Sequence, residues 1–224
     1  MELHPSYKNG TGNNPVNAKP KSAKANVIEP VRLFSGQESW NAWLEKNHRK
    51  SNGLWLRLAK KGSGLRSVSY GEALEIAICH GWIDGQKRPE SGQAWLQRFL
   101  PRSAKSIWSK INREKALGLI AQGRMKTAGQ EAIERAKKNG RWESAYDSPK
   151  DSKVPNDLQA ALDANPRARE FFLSLDKANR YAVLFRIQTV KKAATRETRI
   201  RQFVEMLERN ERIHEPRTSR KPTK

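Results

Sequence analysis

The 224-residue sequence contains a single cysteine, Cys79, and four histidines. One cysteine excludes an internal disulfide and any multi-cysteine metal site. Long apolar runs are missing too. The longest, Tyr181–Phe185, falls far short of the roughly 18 residues a membrane-spanning helix needs. Residues 1–30 hold no apolar stretch of the kind a signal peptide requires, so the expectation is a cytoplasmic chain with neither export signal nor membrane span. Acidic residues are scarce: 23 Asp and Glu stand against 44 Lys and Arg, a net charge of +21. There is no Walker loop and no dinucleotide fingerprint, and no nucleotide or other cofactor is called for. Ser174-Leu-Asp-Lys177 has the Ser-x-x-Lys form of penicillin-binding enzymes but lacks the companion motifs.

What is present is a folded, basic body. Seven tryptophans argue for a substantial core. Residues 1–30 and 211–224, rich in polar residues and proline, read as flexible tails. The first carries four Lys against two Glu and the second five basic residues against two Glu, so most of the positive charge belongs to the folded part.

Helix starts are legible as capping boxes, in which a hydroxyl and a carboxylate or amide three residues apart satisfy the first backbone amides. Ser35-Gly-Gln-Glu38, Ser69-Tyr-Gly-Glu72 and Thr127-Ala-Gly-Gln130 have this form, and Ser103 is expected to cap a helix running to about Gln122. Gly123 and Gly140 are placed to end helices in the left-handed conformation. Strands are expected over 53–60, 81–88 and 94–100, the last two joined by a hairpin turn at Pro89-Glu-Ser-Gly92. Ser148–Pro155 reads as a linker, followed by helices over 156–164, 167–175, 177–190 (cap Asp176) and 195–209 (cap Thr195). The fold class is α+β: a small antiparallel sheet of about three strands packed with helices, then a helical C-terminal extension. The expected division is a core over 31–147, a linker over 148–155 and an extension over 156–210.

Several segments carry a family likeness: Ile78-Cys-His-Gly-Trp-Ile-Asp-Gly-Gln86, Leu54-Trp-Leu56, Lys60-Lys-Gly-Ser-Gly64, Phe99-Leu-Pro-Arg102, Ser106-Ile-Trp-Ser-Lys-Ile-Asn112 and Gly123–Gly129. In this order they resemble the bacterial YdeI/OmpD-associated (OmdA-like) bacteriocin-protection family, over roughly residues 31–210. The resemblance implies a stress-tolerance role against bacteriocins or cationic antimicrobial peptides and a distant kinship to the YjbR/CyaY-like α+β fold. It supplies no catalytic residue to carry over. The family is sometimes described as periplasmic, and this N-terminus departs from that description.

The residues themselves offer one candidate site, an anion-favouring concavity formed by Trp82, Asp84, Arg98, Arg102, Trp108 and Asn112. Residues 86–115 hold eight basic residues against two acidic. Arg98 and Arg102 would form a guanidinium pair able to grip a phosphate or carboxylate bidentately. The amides at a helix start near Ser103 would assist them. Asp84 would orient an arginine or accept from a ligand, and Trp108 would wall the pocket. The bland alternatives are an Asp84 that bonds turn amides, a solvated basic face, and tryptophans that only fill the core. Cys79 and His80, adjacent in the chain, point apart and make a poor nucleophile–base pair, and no metal site is expected.

The partners that fit are an anionic small molecule or an acidic protein. Residues 186–224, with twelve basic residues against five Glu, could instead follow a nucleic-acid backbone, although no nucleic-acid-binding motif accompanies them. Three functions stay open: a non-enzymatic binding and stress-tolerance factor, a nucleic-acid-associated protein, and an enzyme of unknown type.

Overall fold

A computed structural model describes residues 29–215. The tails expected over 1–30 and 211–224 therefore lie outside the described residues, save for their inner ends. The elements run β1 (Val31–Leu33), α1 (Gln37–Asn47), β2 (Leu54–Ala59), α2 (Tyr70–Cys79), β3 (Trp82–Pro89), β4 (Ala94–Pro101), α3 (Lys110–Ala121), α4 (Thr127–Lys138), α5 (Asn156–Asp163), α6 (Pro166–Ser174), α7 (Lys177–Gln188) and α8 (Ala193–Glu208). The class is α+β, as expected.

The sheet has four strands, in the order β1-β2-β4-β3. The expected count of about three is corrected by β1, which pairs with β2 in parallel and makes the sheet mixed. Three residues are too few to show a two-residue period, which is why β1 escapes a reading of the sequence. β2, β3 and β4 lie close to their expected positions. In the β3–β4 hairpin the register shifts between Asp84 and Lys87, so that Gly85 and Gln86 bulge opposite Arg98. The buried Gln97 amide donates to the carbonyls of Gly85 and Gln86 at 2.9 and 3.3 Å, which satisfies the backbone the bulge has unpaired.

Helix α2 starts as foreseen. Glu72 N–H donates to Ser69 Oγ, and Ser69 N–H donates to the Glu72 carboxylate. Asp176 caps α7 by accepting from Asn179 N–H at 2.7 Å. Gly123 and Gly140 both have φ of +67° just beyond their helices. Four expected caps are corrected. α1 is capped from Gly36, whose N–H meets Ser39 Oγ. α4 follows Lys126, whose own N–H is held by Cys79 O, so Thr127 is its first residue. α8 follows Lys192 and takes Thr195 into its first turn. The helix expected from Ser103 begins only at Lys110, with Ser109 Oγ accepting from Asn112 N–H.

The buried apolar residues form two separate clusters. One runs from Phe34 to Ala145 and fills the space between the sheet and α1–α4. The other, from Leu158 to Leu207, is built by α5–α8 alone. Trp40, Trp82, Trp108 and Phe99 are fully enclosed in the first, and Trp40 stacks on Trp43 with ring centroids 5.5 Å apart.

Candidate anion-binding site

Beyond β4 the chain turns sharply, and Arg102 N–H donates to Gly81 O at 2.9 Å. This drives the Arg102 side chain inward, where only 6% of the residue is exposed. Residues 103–109 then form an irregular loop closed by Ser103 and Ser106. The loop delivers Trp108 to the interior, edge-on to Trp142 with centroids 4.8 Å apart. A continuous helix would set Arg102 and Trp108 on different faces. The loop instead places the guanidinium carbon over the indole, 3.6 Å from the ring centroid. Arg102 Nη1 donates to Ile107 O at 3.2 Å, while Nε and Nη2 are buried with no partner among the described residues.

Asp84 and Tyr146 supply the surrounding electrostatics. Burial pulls the Arg102 guanidinium down to about 10, opposed by the charge of Asp84 and by Tyr146. Asp84 accepts from Tyr70 Oη at 2.8 Å. Burial, and then the neighbouring Asp84, raise the Tyr70 phenol well above its ordinary value. Tyr146 is raised by burial and by Asp84, while Arg102 and a hydrogen bond with Ser109 pull it back. The chain crossing that brings Tyr146 here is a short bridge: Tyr146 N–H donates to Trp108 O, and Lys110 N–H donates to Tyr146 O.

Of the six expected site residues, Asp84, Arg102 and Trp108 come together. Arg98 does not join them. Its Nε donates to Glu29 Oε2 at 2.7 Å, its Nη2 also engages Glu29, and its Nη1 reaches Gln86. The two arginines share no partner among the described residues, so the expected guanidinium pair is replaced by one paired and one unpaired arginine. Trp82 is core: 1% exposed, its indole N–H donates to His48 O. Asn112 sits in the first turn of α3, where its backbone N–H meets the cap. The helix start near Ser103 is absent, and with it the amides assigned to the site. Tyr70, Ser109 and Tyr146 were not foreseen, because their separation along the chain leaves no local pattern to find.

Elsewhere, His80 Nε2 pairs with Asn41 Oδ1 at 3.0 Å, and burial pushes the Cys79 thiol up. Among the described residues no group of three or more His, Cys, Asp and Glu is arranged to hold a metal ion. No helix there is long and apolar enough to cross a membrane. From Tyr146 the contacts run on into the helical region. Tyr146 meets Phe185 edge-on at 4.9 Å. Asp147 holds Lys110 Nζ at 2.5 Å and accepts from Gln188 Nε2 at 2.6 Å.

Two family profiles match the chain. One, described as "Domain of unknown function (DUF8412)", covers residues 32–132. The other, described as "Bacteriocin-protection, YdeI or OmpD-Associated", covers residues 151–210. No curated protein and no solved structure matches. All the segments that carry the likeness in the sequence lie inside the first match, so the family they point to is found on a different stretch of the chain. The match to the bacteriocin-protection, YdeI or OmpD-associated family thus lies on residues 151–210, the bundle of α5–α8.

Proposed function

We propose that this protein is a non-enzymatic binding factor of the bacteriocin-protection type, and that it takes an anionic group, carboxylate or phosphate, at Arg102. The observation that carries this reading is the pair of buried guanidinium nitrogens with no partner among the described residues. A buried unsatisfied donor costs about 1–3 kcal/mol, and more when charged, so native proteins rarely leave two on one side chain. An oxygen pair of an anion would meet both donors in the fork geometry guanidinium favours. Trp108 would support the group from one face, and Asp84 with Tyr70 would set its orientation. Because Arg102 is enclosed, entry requires the 103–109 loop to open. The same reading takes the chain as two units, 31–147 and 156–210, joined by 148–155, with Tyr146 and Asp147 relaying occupancy of the site to the helical unit.

Nucleic-acid binding through the C-terminal helices has less support. α8, the longest of them, carries three arginines (196, 199, 201) and three glutamates (197, 205, 208). The charges of that helix balance, without the positive excess that follows a phosphate backbone.

Thermal unfolding of wild type, Arg102→Lys and Arg98→Ala in increasing inorganic phosphate or acetate tests the proposal. At a hundredfold excess over Kd a ligand stabilises by about 2.7 kcal/mol, roughly 5–10 °C in a chain of this size. The rise is expected for wild type and Arg98→Ala and is lost in Arg102→Lys. Equal rises in all three proteins, or none in wild type, would overturn the reading.

A further inference from the structure

Helix α8 buries Ile200, Phe203 and Leu207 in the second core. Its adjoining face is uncovered and, together with α5, forms an open groove of about 790 Å³. The floor is apolar and low: Ile200 and half-buried Val204 from α8, half-buried Ala161 from α5, with exposed Ala164 and Ala194 beside them.

The rim has one prevailing sign. Asp157 is neutralised by Arg196, whose Nε and Nη2 donate to its two oxygens at 2.6 and 2.9 Å. Glu197, Glu205 and Glu208 follow one another along the exposed edge of α8 and enter none of the ion pairs among the described residues. Arg201 alone opposes them on the rim. Arg209, just past the acidic end, feels Glu205 and Glu208 but is engaged by Glu211. In a chain with 44 basic and 23 acidic residues, a local excess of carboxylate beside apolar surface runs against the overall charge.

We infer that this groove receives an amphipathic helix whose apolar face is flanked by lysine or arginine. Alanines in the floor let a helix backbone approach closely, leucine-sized side chains at i, i+3 and i+4 would reach Ile200 and Val204, and the flanking cations would meet the three glutamates. A second copy of this chain is the poorer occupant. Isologous pairing through the groove would set the same glutamates against each other. The site is separate from Arg102, so its fate and that of the anion site are decided independently.

The test is a fluorescence-anisotropy titration of the full-length protein with a labelled Leu/Lys amphipathic helix of about 18 residues, roughly 27 Å long. A Leu/Glu peptide and a Gly/Lys peptide of the same length serve as controls. Binding of the Leu/Lys peptide is expected, with both controls at least about tenfold weaker, a difference of 1.4 kcal/mol. Glu197→Lys/Glu205→Lys and Ala194→Trp, all at exposed positions, are expected to weaken it by a similar factor. Chemical-shift mapping on the wild type, which needs no variant, should place the changes on α5 and α8. Equal binding of the Leu/Glu or the Gly/Lys peptide, indifference to the charge reversal, shifts confined to other elements, or no binding at all would overturn the inference. So would a sedimenting dimer that Ala194→Trp dissolves, because the groove would then belong to a second copy.

Discussion

The guanidinium carbon of Arg102 lies over the indole of Trp108, 3.6 Å from the ring centroid, and both side chains are almost wholly removed from solvent. A desolvated cation–π contact contributes about 2 kcal/mol. Two unpartnered nitrogens on the same guanidinium cost at least as much. The arrangement is therefore a poor source of stability, and its two members should answer differently to substitution. Arg102→Met keeps the volume, removes both orphan donors, and is expected to leave the unfolding free energy unchanged or raised while abolishing the phosphate response. Trp108→Ala opens a cavity and should cost about 3–5 kcal/mol. Urea unfolding separates the two outcomes. A loss above about 2 kcal/mol in Arg102→Met would show that the hydrogen bond to Ile107 O and the attraction of the Asp84 charge outweigh the orphaned donors.

His80 gives the fold a pH dependence of predictable sign. It is 3% exposed, and burial first, then the neighbouring His48, lower its pKa to about 4; Glu45 opposes and Lys126 assists. The unfolded chain takes up the proton near pH 6.5, the folded protein only near 4. Between those values the unfolded state binds more protons, so stability is fully present above about 6.5 and declines as the pH falls toward 4. The loss is on the order of 3 kcal/mol at one pKa unit per 1.4 kcal/mol. Urea midpoints measured from pH 7 to pH 4 should show it, and His80→Gln should flatten this part of the curve.

Two glycines in helices should respond to alanine with opposite signs. At Gly118 in α3 an added Cβ meets nothing within 4 Å, so Gly118→Ala should stabilise by about 0.5–1 kcal/mol through helix propensity. At Gly129 in α4 the Cβ would sit 2.4 Å from Cys79 O. There the close approach of α4 to the end of α2 must be undone, at about 1–3 kcal/mol, which exceeds the propensity gain. Thermal melts of the pair should therefore move apart, by about 2–4 °C per kcal/mol.

The capping box of α2 should be measurable by itself. Ser69→Ala removes the acceptor for Glu72 N–H and leaves the reciprocal bond, from the backbone N–H of residue 69 to the Glu72 carboxylate, in place. A loss of about 1 kcal/mol is expected. Thr127→Ala, at the other box of similar appearance, should change little, because Lys126 precedes α4 there and contributes no side-chain cap. Chemical denaturation of both variants checks the contrast.

The expected boxes and caps differ in how far local sequence decides them. Ser69–Glu72 and Asp176–Asn179 are local: the groups that satisfy one another are three residues apart, so the residues alone disclose them. Ser103 looks like a cap of equal quality. It loses to Ser109 because Trp108 must turn inward onto Trp142 and Arg102, a demand set by residues up to 40 positions away. Arg98 and Arg102 sit on one strand and the bend after it, and look like a pair. Glu29 claims the first and the interior claims the second.

By itself the amino-acid order determined the α+β class, the β3–β4 hairpin, the start of α2, the ends marked by Gly123 and Gly140, and the helical character of the C-terminal region. Each follows from hydrogen bonds and apolar periods that close within a few residues. Only the tertiary structure decided that Arg102 is buried and half-satisfied, that Tyr70 and Tyr146 stand with it around Asp84, and that an acidic, apolar groove opens on a basic protein. Those arrangements depend on which distant side chains reach the same small volume first, and the cost of desolvating a charge is set by that volume, which no local stretch of sequence encodes.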